Sequence, residues 1–354
     1  MNPFITINGR RIGKGCPVYI VAEMSANHHQ DFDEAVKIIE AAGRAGADAV
    51  KLQTFTPDTH TIQSDKEYFR VGGGTLWDGK TLYELYRGAY MPWEWQPKLK
   101  EVANGLGLDL FSAAVDGTGV DFLEKMGVPV HKVTSFEITD LPLIEKMGRT
   151  GKPVIISTGM AELSEIDEAV RFARKAGASQ IALLKCNSAY PAPPEEMNLR
   201  TIPHLAEAFG VPVGISDHTM DIAVPVAAVS LGACIVEKHF TLSRNIPGPD
   251  STFSLEPREF KAMVEAVRTA EKALGTVHYG VSEIEARSRI FRRSLFAVRD
   301  IKAGERFTDG NIRSIRPGHG LPVRHVGEIL GRYASRDIER GTPLAWDLIG
   351  GGGT

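Results

Sequence analysis

The stretches VPVGISD (211–217) and CIVEKHF (234–240) each begin as an apolar strand and become polar within a few residues. The first is followed directly by His218, and the second contains Glu237 and His239. Short apolar runs are typical of strands buried in a parallel sheet, whose carboxyl ends meet at one edge. The two stretches therefore predict neighbouring strands that bring two histidines together.

Six further runs of the same kind precede these two, and helical patterns separate most of them. They are VYIVAEMS (18–25), AVKLQTF (49–55), LDLFSAAV (108–115), VPVHKVTS (128–135), PVIISTG (153–159) and IALLKCN (181–187). Apolar spacings of three and four residues predict helices, for example over 33–46, 164–177 and 257–275. Eight strands, each followed by a helix, predict an α/β fold of the (β/α)8 TIM-barrel type. A doubly wound open sheet is the alternative.

The alternation of strands and helices stops after Gly275, where shorter β-like pieces and turn signals begin. We expect a barrel domain at 1–275, a charged linker at 276–292, a small β-rich domain at 293–349 and a disordered tail at 350–354. The small domain is short enough that we expect little core within it. The segment 56–92, rich in glycine and aromatic residues, is expected to form a loop over the barrel mouth.

Composition excludes several classes of protein. The chain has 354 residues, of which 43% are hydrophobic, and its formal net charge is −3. Because the net charge is slightly negative, the chain has no general electrostatic attraction to nucleic acid or anionic membranes. No apolar run approaches the roughly 18 residues of a membrane span, and the first residues do not read as a signal peptide. The cysteines Cys16, Cys186 and Cys234 lack zinc-type spacing and predict reduced thiols. We expect a cytoplasmic protein that binds neither nucleic acid nor membrane.

Polar side chains at the carboxyl ends of the predicted strands indicate where chemistry takes place. Alternation along each strand assigns them in pairs to one face. The residues are Glu23 and Ser25, Lys51 and Gln53, Lys132 and Ser135, Ser157, Ser216 and His218, and Glu237 and His239. Charged groups inside a barrel are costly unless they are paired or hold a ligand. Since active sites of TIM barrels lie at this end, we expect a site here.

The residue types narrow the chemistry. Two neutral imidazoles, His218 and His239, suit a divalent metal with open positions; the alternative is that one merely hydrogen-bonds a carboxylate such as Asp217 or Glu237. Lysines and serine hydroxyls suit a phosphate or carboxylate anion, and no P-loop motif is present. Glu23 is the carboxylate best placed for proton transfer or for orienting water.

Over essentially its full length the chain resembles the sialic acid synthase family, whose members condense phosphoenolpyruvate with an amino-sugar aldehyde. The matching motifs are IVAEMSANH (20–28), AVKLQTF (49–55), HKVTSFE (131–137), ISTGM (156–160), LLKCNSAYP (183–191), GISDHT (214–219), EKHFT (237–241) and GPDSTFS (248–254). The stretch 296–320 is similar to the antifreeze-like SAF domain of that family. One departure is FSAAV (111–115), in which Ala113 stands where the family has a hydroxyl.

The resemblance implies roles for individual residues. His218 and His239 would bind a divalent metal (Mn²⁺, Mg²⁺ or Co²⁺) that also receives the sugar aldehyde oxygen, with Glu23 as the third catalytic residue. The residues implied around phosphoenolpyruvate are Lys51, Gln53, Lys132, Ser135, Ser157, Ser188 and Ser216. The residues implied at the sugar are Tyr190, Glu237, Asp250 and Arg316. Arg316 would reach the sugar from the SAF domain of a partner subunit, which implies a homodimer with exchanged SAF domains.

The substrate sugar remains open at this stage. The stretches SANH (25–28) and GGTLWDGKTLYELY (73–86) favour a branch that uses 2,4-diacetamido-2,4,6-trideoxy-L-altrose. Its manno counterpart and N-acetylmannosamine are the alternatives, because GPDSTFS is closer to the members that make sialic acid. A protein that binds an anionic sugar without turnover is a further alternative, which a carboxylate beside a metal pair disfavours.

Overall fold

The structure is a computed structural model that describes residues 3–351. The chain divides into two compact units, Met1–Gly275 and Thr276–Thr354. No helix among residues 3–351 is both long and apolar enough to cross a membrane.

Eight parallel strands form a closed barrel in the first unit, preceded by a short antiparallel hairpin. The hairpin strands are β1 (Phe4–Ile7) and β2 (Arg10–Gly13). The barrel strands are β3 (Tyr19–Glu23), β4 (Ala49–Thr54), β5 (Asp109–Ala114), β6 (His131–Val133), β7 (Val154–Ser157), β8 (Ile181–Cys186), β9 (Val213–Asp217) and β10 (Ile235–His239). Each strand pairs with the next along the chain, and β10 pairs with β3. The predicted TIM barrel is confirmed, and the open-sheet alternative is wrong.

At least one helix follows every strand of the barrel. The helices are α1 (Phe32–Arg44), α2 (Pro57–His60), α3 (Leu82–Ala89), α4 (Gln96–Gly105), α5 (Gly117–Met126), α6 (Leu141–Arg149), α7 (Leu163–Ala176), α8 (Thr201–Phe209), α9 (Ala223–Ser230) and α10 (Pro257–Leu274). Capping residues set the ends of these helices. Asp31 caps the start of α1, where its side chain accepts a hydrogen bond from the Glu34 amide at 2.9 Å. Gly127 follows the last residue of α5 and ends the helix with a left-handed φ of 70°. The region 56–92, expected as a loop, contains α2 and α3.

Strand register assigns the residues that face the barrel interior, because paired residues of parallel strands point to the same face. His239 pairs with Glu23, and Glu23 pairs with Lys51; following the pairs around the barrel gives one continuous inward set. Its members near the carboxyl ends are Glu23, Lys51, Gln53, Ala113, Lys132, Ser157, Cys186, Ser216, Glu237 and His239. The alternation read from the sequence therefore gave the correct face for each strand-borne residue that it assigned.

The amino end of the barrel is closed by polar contacts that the sequence did not reveal. Tyr19 is fully buried and donates from its hydroxyl to Asp109 at 2.7 Å. The turn of the hairpin adds Asn8, whose amide donates to the same carboxylate at 2.5 Å. This end is thus tied by structural contacts, while the opposite end carries the charged residues.

The second unit contains small antiparallel sheets and its own hydrophobic core. Its elements are α11 (Glu283–Ser288), β11 (Ser294–Ala297), β12 (Ile312–Ile315), α12 (Val326–Ile329), β13 (Tyr333–Ala334) and β14 (Ile349–Gly350). The buried core side chains are Leu295, Ala297, Ile301, Phe307, Ile312, Ile329, Ala334, Ile338, Leu344, Leu348 and Ile349. The expectation of little core was therefore wrong. Within the expected linker lies α11, the expected tail begins in a paired strand residue, Gly350, and residues 352–354 lie outside the described part.

A buried ion pair lies on the outer face of the two histidine-bearing strands. Lys238 Nζ is 2.5 Å from Asp217 Oδ2, and both side chains are almost completely buried. The same ammonium donates to the carbonyl oxygen of Thr219, just beyond His218. The pair therefore ties β10 to the end of β9 and to the loop that follows it.

Replacement of Lys238 by methionine should destabilise the protein, because Asp217 would keep a buried charge without its partner. Loss of one member of a buried pair costs about 3–5 kcal/mol, which chemical denaturation followed by circular dichroism can measure. Lys261→Met is the matched control, since Lys261 forms an exposed pair with Glu265 at 3.9 Å and should lose less than about 1 kcal/mol. Equal losses in the two variants would contradict a stabilising role for the buried pair.

Candidate active site

Four charged side chains meet inside the carboxyl end of the barrel. Lys51 Nζ lies 2.7 Å from Glu237 Oε1 and 3.0 Å from Glu23 Oε2. Lys132 Nζ lies 4.0 Å from the same oxygen of Glu237. All four side chains are buried. Two ammonium groups and two carboxylates thus balance one another in a region that water scarcely reaches, and we call them the charge cluster.

The environment shifts the pKa values within the charge cluster in different directions. Burial raises the pKa of Glu23 to about 7, against the opposing effect of Lys51. Burial also opposes ionisation of Glu237, but Lys132 and Lys51 together hold its pKa below the ordinary value. Burial lowers the pKa of Lys132 to about 8. Glu237 is therefore the fixed anion of the cluster, and Glu23 is the carboxyl that can exchange a proton near neutral pH.

Hydroxyl groups surround the lysines of the charge cluster. Lys132 Nζ donates to Ser157 Oγ at 2.7 Å, and Ser216 Oγ donates to Glu237 Oε1 at 3.0 Å. Ser188 Oγ is buried and has no hydrogen-bond partner among residues 3–351. A buried hydroxyl without a partner is unfavourable, so this group is suited to a ligand that supplies the missing contact.

The turn after β7 is packed tightly against two of these serines. The Gly159 amide donates to Ser135 Oγ at 3.0 Å. A Cβ at Gly159 would lie 2.6 Å from Ser135 Oγ and closer still to Ser188 Oγ. Only glycine therefore lets both hydroxyls pack against this turn, and a serine hydroxyl that accepts from a backbone amide can donate its own hydrogen to an anion.

The two histidines lie side by side, as the sequence predicts. The rings of His218 and His239 have centroids 5.2 Å apart. His218 Nδ1 is 2.7 Å from the carbonyl oxygen of Asn187, so Nδ1 carries a proton, and in the neutral ring Nε2 keeps its lone pair. Burial opposes protonation of this ring, but its contacts with Cys186 and with the Asn187 carbonyl raise its pKa above the ordinary value. Burial holds the pKa of His239 well below its ordinary value, and its Nδ1 has no partner within the described part of the chain.

The alternative reading of the histidines as partners of carboxylates is not supported. Asp217 pairs with Lys238 on the outer face, and Glu237 pairs with Lys51 inside the barrel. No group of three or more His, Cys, Asp and Glu residues within residues 3–351 is arranged to hold a metal. Within the same residues the two histidines thus stand as a pair, with no third such side chain arranged beside them.

Cys186 is a site residue that the sequence reasoning missed. Its side chain is buried and faces inward, and Sγ lies 3.9 Å from His218 Nδ1. Burial would raise the pKa of the thiol, but His218 and Ser135 lower it to about 7. The signal was present in the alternation of Ala182, Leu184 and Cys186, which places all three on the inward face.

A chain of hydrogen bonds joins Glu23 to the segment after β10. Gln53 Nε2 donates to Glu23 Oε1 at 3.3 Å and to Ser25 Oγ at 3.0 Å. Ser25 Oγ in turn bonds the carboxylate of Asp250, which also accepts the Ala26 amide at 3.2 Å. The predicted sugar residue Asp250 is thus linked to Glu23 by three hydrogen bonds, through Ser25 and Gln53.

Aromatic side chains line the other side of the mouth. The ring of Tyr190 lies 4.3 Å from His218 and 5.1 Å from Phe253, measured between centroids. Trp77, from the region 56–92, lies 6.0 Å from Tyr190, and its indole nitrogen donates to the Pro249 carbonyl oxygen at 3.0 Å. The region expected over the mouth therefore contributes one wall of the site.

The two remaining predicted positions are Ala113 in β5 and Arg316 in the second unit. Ala113 faces inward between Gln53 and Lys132, while the neighbouring Ser112 hydroxyl bonds Thr54 at 2.6 Å on the outer face, so β5 offers no hydroxyl to the site. Arg316 lies in the second unit, directly after β12, and is exposed. The structure brings together the predicted site residues of the first unit.

Fold and site together place the chain among TIM-barrel proteins with a charged mouth that also carries two neighbouring histidines. The sequence profile of the NeuB family matches residues 38–279, and that of the SAF domain matches residues 292–350. The chain belongs to the NeuB family, and the resemblance predicted from its motifs is confirmed.

Named relatives support the same placement. A pseudaminic acid synthase of Campylobacter jejuni is 45% identical over 92% of this chain and 95% of its own length. An N,N'-diacetyllegionaminic acid synthase of Legionella pneumophila is 36% identical over 97% of this chain and 98% of its own length. The solved N-acetylneuraminic acid synthetase of Leptospira borgpetersenii is 31% identical, with a TM-score of 0.72 over 81% of this chain and 95% of that one.

Gly159→Ala should weaken anion binding, because the added methyl group would push Ser135 and Ser188 apart. Loss of one hydrogen bond to a charged group corresponds to about tenfold or more in affinity, which titration calorimetry with inorganic phosphate can measure. Gly88→Ala is the control, since a Cβ at Gly88 in α3 would meet no atom within 4 Å. Unchanged phosphate affinity in Gly159→Ala would place the anion elsewhere in the barrel.

Proposed function

We propose that the chain condenses phosphoenolpyruvate with 2,4-diacetamido-2,4,6-trideoxy-L-altrose and water, giving pseudaminic acid and phosphate. The observation that carries the proposal is the charge cluster beside the paired histidines, in a NeuB-family chain that is 45% identical to a pseudaminic acid synthase. The alternative products are N-acetylneuraminate or legionaminate, formed from N-acetylmannosamine or from a 2,4-diacetamido manno sugar.

The proposed phosphoenolpyruvate site is formed by Lys51, Gln53, Lys132, Ser135, Ser157, Ser188 and Ser216. Lys132 and the convergent hydroxyls at Gly159 suit the phosphate, since an ammonium and several O–H donors can share its oxygens. We assign Lys51 to the carboxylate, since it is the second buried ammonium of the charge cluster. The burial of the lysines strengthens these contacts relative to water.

The residues present fit a divalent metal at His218 and His239. The lone pair of His218 Nε2 is available because Nδ1 bonds Asn187, and the pKa of His239 keeps its ring neutral. Two nitrogen ligands favour Mn²⁺ or Co²⁺ over Mg²⁺, which prefers oxygen. When bound, such an ion would supply Lewis-acid polarisation of the sugar aldehyde.

The remaining chemistry is assigned to side chains of the barrel. Carbon 3 of phosphoenolpyruvate forms a bond to the aldehyde carbon, and the aldehyde oxygen gains a proton and becomes a hydroxyl. Water adds to carbon 2 and loses a proton, for which we assign Glu23 as the acceptor, since it is the carboxyl of the charge cluster whose pKa is raised to about 7. The tetrahedral intermediate then loses phosphate by cleavage of the C–O bond, and Lys132 with its serines stabilises the departing anion.

The proposed sugar contacts are Tyr190, Asp250, Glu237 and, from the second unit, Arg316. Glu237 uses Oε1 for Lys51 and Ser216, so we assign a sugar hydroxyl to its other oxygen. Asp250 is held by Ser25 and by the Ala26 amide. These fixed groups would orient the aldehyde toward carbon 3, which lowers the entropic cost of the reaction.

Phosphate release from phosphoenolpyruvate tests the proposal when it is measured with each of three sugars. We expect the altrose sugar to exceed its manno counterpart and N-acetylmannosamine by more than about tenfold in kcat/KM, the gap that buried polar contacts supply. EDTA should abolish release, and added Mn²⁺ or Co²⁺ should restore it. Efficient turnover of N-acetylmannosamine alone would contradict the proposed substrate, and full activity in EDTA would contradict the metal.

We further propose a homodimer in which Arg316 of each SAF domain completes the site of the partner chain. Support comes from the exposure of Arg316 and from its position within the SAF domain, residues 292–350. A twofold dimer would make the exchange reciprocal. We also propose a cytoplasmic location, for which the three free cysteines are the support.

Mixing two inactive variants tests the exchange, one with His239→Ala and the other with Arg316→Ala. If Arg316 acts on the partner, each mixed dimer contains one intact site. Random exchange makes half of the dimers mixed, so about a quarter of wild-type activity should return. If Arg316 acts within its own chain, both sites of the mixed dimer stay broken. No recovery of activity, with subunit exchange verified by mass, would contradict the proposal.

A further inference from the structure

We propose that Trp77 is a specificity-determining residue whose ring receives the C6 methyl group of a 6-deoxy sugar and disfavours a 6-hydroxyl. The inference rests on the proposed function, because it assumes that a sugar aldehyde lies at the histidine pair. It adds to that function the part of the sugar, C6, that Trp77 recognises.

Trp77 and the histidine pair share one aromatic neighbour. The Tyr190 ring has its centroid 4.3 Å from that of His218 and 6.0 Å from that of Trp77. In an extended six-carbon sugar, C6 lies roughly 6 Å from the aldehyde carbon, given C–C bonds of about 1.5 Å. A sugar whose aldehyde lies beside His218 and whose chain runs along Tyr190 would therefore bring C6 to the surface that Trp77 provides.

The chemistry of that surface is apolar because the polar atom of Trp77 is already bound. The indole nitrogen is a donor only, and it donates to the Pro249 carbonyl oxygen at 3.0 Å. What remains is the face and edge of the aromatic ring, beside Tyr190. A methyl group gains apolar contact there, whereas a hydroxyl would lose water without gaining a partner from the indole.

Hydrogen bonds within the turn that contains Trp77 hold this residue in position. The amides of Gly74 and Thr75 both donate to the Asp78 carboxylate at 2.9 Å, which closes a tight turn around Trp77. The bond from Trp77 to Pro249 joins this turn to the residue before Asp250, which is itself tied to Ser25. The apolar and polar contacts to the sugar would therefore be held at a set separation.

The experiment compares kcat/KM for two sugars that differ at one atom, the 6-deoxy altrose sugar and its 6-hydroxy analogue. The wild type should prefer the 6-deoxy sugar by about tenfold to a hundredfold, the range for a small group in an apolar pocket. In Trp77→Ala the ratio should fall to about threefold or less, and the KM for phosphoenolpyruvate should stay within about twofold. Trp77→Phe, which keeps an aromatic ring and loses the N–H, should retain most of the preference.

Each outcome separates the role of Trp77 from its alternatives. A ratio unchanged in Trp77→Ala, with both sugars slowed equally, would make Trp77 a structural residue and overturn the inference. A ratio lost equally in Trp77→Phe and Trp77→Ala would assign the effect to the Pro249 bond and overturn the role of the ring. A wild type that uses N-acetylmannosamine and neither altrose sugar would overturn the proposed function itself. Circular dichroism of the variants verifies that the barrel is intact.

Discussion

The ion pair between Lys51 and Glu237 is the constraint on which the rest of the site depends. Its 2.7 Å contact lies inside the barrel and is buried, and an unpaired charge there would be very costly. Glu23 and Lys132 complete the balance of charge at either side. Protein partners thus hold both lysines inside the barrel before an anion arrives, and the oxygens of the anion would replace some of those contacts.

The site is divided into two chemically different halves. One half is polar, with lysines and serines close together and the Gly159 amide bonded to one of the serines. The other half is aromatic, and the Tyr190 ring neighbours both His218 and Trp77. The first half suits a small anion. The second half can vary with the sugar, because aromatic contacts depend on shape more than on charge.

Much of the fold and of the first-unit site could be predicted from the sequence. The spacing of apolar residues indicated the helices and strands, and the alternation within each strand indicated which side chains face inward. The count of eight apolar runs gave the barrel, and the alternation within them placed residues such as Lys132 and His239 on the inward face. Cys186 was missed because a cysteine among apolar residues resembles a core residue. The hairpin before β3 and the core of the second unit were missed because their strands have only two to four residues, too few for a period to appear. Which bonds Lys51 or Trp77 make depends on residues far away in the chain, and spacing does not reveal them.

The consecutive residues Glu237 and Lys238 make their ion pairs on opposite faces of the barrel wall, inward to Lys51 and outward to Asp217. This back-to-back arrangement fixes the alignment of β10 during folding. A slip by one residue would turn every side chain of the strand to the other face. It would then place three lysines inside the barrel with only Glu23 of the charge cluster to balance them, and two carboxylates together outside. Misaligned barrels would thus be rejected by charge before the site is formed, so the residues proposed for chemistry also select the correct closure of the barrel.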